Sequence, residues 1–116
     1  MEFAEFKELI GKYAKEVYQS NYTPDRALQI LGELASLEGN VIDFANKCEL
    51  AYNLRLQKCY EAEEKANRAK LMANTSPEYK AYLEAKALLK LVSGLQSSLK
   101  YFARAKEEEK RNARFQ

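Results

Sequence analysis

The sequence contains no histidine. That removes the commonest general base and the commonest transition-metal ligand. It also removes the Ser-His and Cys-His pairs of nucleophilic catalysis and the Glu-x-x-His signature of helical di-metal sites. No glycine-rich phosphate loop occurs, and the carboxylates, though plentiful, form no recognisable catalytic pair. Neither an enzymatic activity nor a cofactor or metal is expected. No apolar run approaches the roughly 20 residues needed to span a bilayer, so no membrane partner is expected. The opening Met1-Glu2-Phe3-Ala4-Glu5 is acidic and unlike a secretory signal. These absences point to a soluble intracellular protein.

Cysteine is scarce, with two residues, Cys48 and Cys59. Eleven residues of helix place them on one face about 16 Å apart, too far for an internal disulfide. They read as small core residues in a reducing compartment. The sharper alternative, an intermolecular bridge or reactive thiol, has no further support in the sequence. Four glycines and two prolines are the only strong helix interrupters in 116 residues.

What is present is 47% hydrophobic and 31% charged residues. That mixture favours one all-α domain of amphipathic helices. Residues 2–19 carry Phe3, Phe6, Ile10, Tyr13 and Val17 at helical steps. Thr23-Pro24 then supplies an N-cap with proline in the first turn. A second helix, about 24–38, is expected from Leu28, Leu31 and Ala35, widened by Ile30, Leu34 and Leu37. Gly39-Asn40 is either a kink in one long helix or a true break. Beyond it the stripe resumes as Ala45, Cys48, Tyr52, Leu56 and Cys59, then Ala62, Ala66, Ala69 and Ala73.

Asn74-Thr75-Ser76-Pro77-Glu78 is the clearest punctuation. Either Ser76 caps with Pro77 in the first position, or Thr75 forms a capping box with Glu78. The last helix shows Ala81, Ala85, Leu88, Val92, Leu95, Leu99 and Phe102, the spacing of a coiled-coil seam. Its charged end leads to a tail, 112–116, expected to fray. A reversal at Thr75/Ser76 pairs residues whose numbers sum to about 151, so that Cys59 faces Val92, Leu56 faces Leu95 and Tyr52 faces Leu99. The expectation is a long antiparallel, coiled-coil-like hairpin of 41–73 and 77–111, with two N-terminal helices packed on or beyond its open end. So slender a hairpin leaves apolar flanks that call for a partner, and a homo-oligomer is expected.

Charge is uneven. Residues 1–46 hold four Lys/Arg and eight Asp/Glu, whereas 47–116 hold fifteen and nine. On the last helix Lys86, Lys90, Ser93, Ser97, Lys100 and Arg104 form one stripe about 27 Å long. The expected pairing puts Lys47, Arg55, Lys58 and Lys65 at corresponding heights on the other arm. A shared face would suit phosphates. The plainer interpretation is a solvated lysine-rich surface, diluted by Glu61, Glu63, Glu64 and Glu84. Among eight tyrosines, Tyr60, Tyr79 and Tyr101 fall nearer the polar side. Such rings either stack on unpaired bases or cover a helix flank.

Three stretches, Cys59-Tyr-Glu-Ala-Glu-Glu-Lys-Ala-Asn-Arg-Ala-Lys70, Ser76-Pro-Glu-Tyr-Lys-Ala81 and Leu95-Gln-Ser-Ser-Leu99, together make residues 32–110 resemble small helical proteins of tailed bacteriophages and prophages. Such proteins are often encoded near recombination or replication genes. The resemblance implies a host-cell cytoplasmic setting and transfers no site residues. The combined expectation is a non-enzymatic helical protein that assists DNA transactions, with single-stranded DNA as a candidate partner. Lys58, Lys65, Lys86, Lys90, Lys100 and Arg104 would neutralise phosphates without reading bases. The alternative is a protein-interaction module, a scaffold, adaptor or inhibitor of a host protein, using Phe3, Phe6 and the seam flanks.

Overall fold

A computed structural model of the chain describes residues 2–19, 22–63 and 65–114. The protein is all-α and is built on an antiparallel hairpin of long helices. Helix α1 spans Phe3–Tyr18, α2 Pro24–Ala62, α3 Ala66–Asn74 and α4 Pro77–Arg114. The chain divides into two compact units, residues 1–39 with 90–116 and residues 40–89.

In the first unit α1 buries Phe6, Ile10, Tyr13, Ala14 and Val17. Helix α2 starts where Thr23 Oγ1 accepts the Arg26 amide at 3.1 Å, satisfying one of the helix's orphan donors. Its buried side is Ala27, Ile30, Leu34 and Leu37. The stripe expected from Leu28, Leu31 and Ala35 is therefore displaced. Leu28 is 60% exposed, Leu31 is half-buried and Ala35 is exposed. The reason is continuity: Ala27, Ile30, Leu34 and Leu37 lead in unbroken steps of three and four to Val41, Ala45, Cys48 and Tyr52, on the same face.

Helix α2 runs through Gly39 without a break, so 24–38 and the segment from 41 onward are one helix rather than two. Gly39 is exposed with open space around it, and it costs about 1 kcal/mol against alanine. Leu37 and Val41 on either side are buried, and each such side chain contributes roughly 1.5–3 kcal/mol, which outweighs the glycine. Antiparallel α1 is tied to α2 by Tyr13 Oη donating to Glu33 and by Arg26 donating to Glu16 at 2.7 and 3.0 Å. Against α2 lies the second half of α4, where Gln96 Nε2 donates to Glu38 at 3.0 Å. Ile10, Ile30, Leu34, Leu95 and Leu99 are all but sealed from solvent.

In the second unit the chain reverses between Ala62 and Ala66, not at Ser76. Cys59 packs with Ala69 and Ala73, with Tyr52 and Leu56 against them, and Tyr52 Oη donates to Asn74. Helix α3 thus folds back along the last turns of α2, and the expected first arm, 41–73, is divided at 62–66. On one straight helix Ala69 would sit about 80° away from Cys59. The reversal re-aims it, while Ala62 and Ala66 turn out to solvent. Sequence gave little warning, because Glu63, Glu64 and Lys65 are ordinary helix formers.

The Thr75–Ser76 punctuation is a kink. Ser76 Oγ donates to Ala73 O at 2.5 Å and accepts the Tyr79 amide at 3.3 Å, so Ser76 caps α4 with Pro77 first in line. The Tyr52 ring lies 4.9 Å from Tyr79 and 5.8 Å from Tyr82. Helix α4 therefore continues along α2 in the direction α3 was already taking. The contacts Tyr52–Tyr82 in this unit and Glu38–Gln96 in the other each sum to 134, not 151. The difference is 17 residues, a little under five helical turns. The observed register puts Leu99 about level with Leu34 and Leu88 about level with Ala45, all buried, so apolar meets apolar in this register as it did in the expected one. At the far end α4 extends to Arg114, so 112–114 of the expected tail are helical. Phe115 and Gln116 lie outside the described residues, as do Ser20, Asn21 and Glu64.

Candidate nucleic-acid interface

From Ala85 to Lys106 the sequence of α4 holds five Lys/Arg and no Asp/Glu. Within the first unit the outward side of this stretch is centred on Ser97. On an ideal helix Lys90, Ser93, Gly94, Lys100, Tyr101 and Arg104 lie within about 60° of it, and all seven are exposed. Leu95 and Leu99, on the opposite side, are buried and fix this orientation. Helix α4 thus presents cations, hydroxyls and one tyrosine along about 21 Å.

Of the six residues expected to contact phosphate, Lys90, Lys100 and Arg104 share this face. Lys86 belongs to the second unit, where its Nζ lies 5.2 Å from the Tyr82 ring centre. Lys58 and Lys65 are exposed there as well, at the end of α2 and the link to α3. In the observed register Lys86 stands level with Cys48, ten residues or about 15 Å along α2 from Lys58. The expected alignment of Lys58 and Lys65 with Lys86 rested on the other register and is not realised. Among the described residues none of the six takes part in a salt bridge.

The fold also makes a groove that the sequence reading missed. Pro24 and Leu28 of α2 and Ala103 of α4 floor a cavity of about 300 Å³ rimmed by Arg104, Lys106, Lys110, Asp25 and Glu107. Lys106 is engaged already, 3.3 Å from Glu109 and 5.7 Å from the Phe102 ring centre. Phe102 meets Tyr22 edge-on at 4.6 Å. The sequence signal that could have found Lys106 is the carboxylate-free interval between Glu84 and Glu107. Nothing in sequence spacing links it to Leu28.

The three tyrosines on the polar side fare differently. Tyr79 is half-buried against Tyr52, whereas Tyr60 and Tyr101 are 45% and 78% exposed. Burial, then the neighbouring tyrosines, pushes the Tyr52 phenol up. Cys48 and Cys59 are both free and buried, and burial pushes the Cys48 thiol up, away from the reactive thiolate. Tyr13 is pushed up to about 12 by burial, then by its hydrogen bond to Glu33. The Arg26 hydrogen bond holds the Glu16 carboxyl below the usual glutamate range. Tyr13 with Glu33 and Arg26 with Glu16 bind α1 to α2. Among the described residues no cluster of three His, Cys, Asp or Glu is placed to hold a metal, and no helix is long and apolar enough to cross a membrane.

Comparison with known proteins finds no matching family model, no matching curated protein and no matching solved structure.

Proposed function

We propose that this protein is a non-enzymatic helical binding protein that holds nucleic acid by its phosphates on the outward face of α4. The observation that supports this most directly is the stretch from Lys90 to Arg104, where three exposed cations stand among exposed serines with no carboxylate between them. Phosphate neutralisation by such a face releases counterions and is independent of sequence. Lys90, Lys100 and Arg104 carry the contact. The resemblance to phage proteins encoded near recombination and replication genes points to the same role and is part of the proposal.

The test is fluorescence anisotropy with labelled single- and double-stranded oligonucleotides over a salt series. With about three phosphates engaged, log K for a single strand should fall with log salt at a slope near −2. Replacing Lys90, Lys100 and Arg104 by glutamine should flatten that slope. No binding at low salt, or binding indifferent to salt, rejects the proposal.

A second reading has its own support, in the composition of the second unit. Its buried residues are mostly small, Ala45, Cys48, Cys59, Ala69, Ala73 and Ala85, while Leu50, Leu54, Leu71 and Leu83 are 45–66% exposed. Large apolar side chains outside a small-residue core suit a protein partner or a second copy of the chain. Light scattering across concentration and recovery of a partner from the native host would favour this reading over the first.

A further inference from the structure

We propose that Tyr101 is a base-stacking residue and that the ligand of the α4 face is single-stranded nucleic acid. This rests on the phosphate-binding reading above and adds a residue role and a strand preference.

Several aromatic side chains of this unit are accounted for by packing. Phe6 and Tyr13 are buried, and Tyr22 and Phe102 pack on each other. Tyr101 is 78% exposed, the most exposed of the large apolar side chains among the described residues. An aromatic ring left in water forgoes about 25 cal/mol for every Å² of apolar surface that burial would remove. Its surroundings are specific. Lys100 precedes it, Ser97 lies one turn before it and Arg104 one turn after it, and no carboxylate occurs on α4 between Glu84 and Glu107. Tyr18, the other highly exposed tyrosine of the unit at 71%, shares its helix with Glu5, Glu8 and Glu16 and has no such setting.

A ring projecting between phosphate-binding cations meets the strand where its bases are. In a duplex the base faces are already stacked, so the ring gains nothing from them. In a single strand the faces are free, and any base supplies one. The exposed Ser93 and Ser97, with open space around Gly94, leave room for a strand to lie against the helix beside the ring.

The experiment uses the full chain, as wild type, Tyr101→Ala and Tyr101→Phe, with oligodeoxythymidine and a duplex of equal phosphate number as probes. Because the side chain is exposed, Tyr101→Ala should keep the wild-type helical circular dichroism. It should weaken single-strand binding about 5- to 150-fold, the range of a lost base–aromatic stack, with duplex binding and the salt slope unchanged. Tyr101→Phe keeps the ring and should bind within about twofold of wild type, since the stack needs no hydroxyl. Equal single-strand affinity of wild type and Tyr101→Ala overturns the stacking role while leaving the phosphate reading intact. So does an equal loss on both probes, or a wild type that binds duplex alone. A wild type that binds neither probe overturns both.

Discussion

Two polar pairs, Tyr13 with Glu33 and Arg26 with Glu16, hold α1 on α2, and both titrate away from neutral pH. An unfolded glutamate binds its proton near 4.5, and in the fold Glu16 is held below that. The pair therefore contributes stability in full above the unfolded value and loses it as pH falls through the lower folded one. Tyr13 has the opposite sign. Its phenol moves from 10.0 to about 12, so its contribution is full below pH 10 and lost as pH rises toward 12. Denaturant titrations across pH should show Glu16→Gln losing the acid-limb difference from wild type, and Tyr13→Phe the alkaline one. A pH profile shared by both variants and wild type would exclude this assignment. Neither pair was legible in the sequence, where Tyr13 read only as one apolar step. Partners twenty and ten residues apart are brought together by the packing of α1 on α2 and by nothing local.

At the scale of elements, the capped starts of α2 and α4 were readable and the chain reversal was not. Thr23-Pro24 and Ser76-Pro77 both begin helices, because a side-chain oxygen and a residue without an amide donor solve the same problem locally. Whether such a junction reverses the chain is settled by what packs across it. At Ser76 Tyr52 meets both Asn74 and Tyr79, and the chain goes on. Between Ala62 and Ala66 the sequence has no glycine or proline and, among the described residues, no side chain caps α3, yet the chain turns back. Fluorescent or spin labels at the exposed Asn53 and Thr75 would test this directly. Packed helices put their axes roughly 8–10 Å apart, whereas a continuous helix through 53–75 would separate the labels by about 33 Å. The short distance is expected.

Over the whole molecule, folding cancels the charge asymmetry that the linear sequence displays. The acidic N-terminal residues 1–39 and the basic C-terminal residues 90–116 belong to one unit, which carries eleven Lys/Arg and ten Asp/Glu. Any cationic surface is thus the property of one helix face and not of one half of the protein. The two units also differ in what they bury. The first seals isoleucine and leucine, and the second relies largely on alanine and cysteine. Apolar area removed from water sets the stabilisation, so the second unit should open more readily. Hydrogen exchange should show amides of 66–74 exchanging well before those of 30–37 and 92–99. Equal protection would mean that the units open together. By itself the sequence determined that the chain is helical, where α2 and α4 begin and which side of α4 is apolar, because periodicity and capping act over one or two turns. Only the tertiary structure decided which of two parallel stripes on the early part of α2 is buried, where the chain turns back and in which register α2 meets α4. Both registers set apolar residues against apolar residues, and only packing between residues distant in the chain tells them apart.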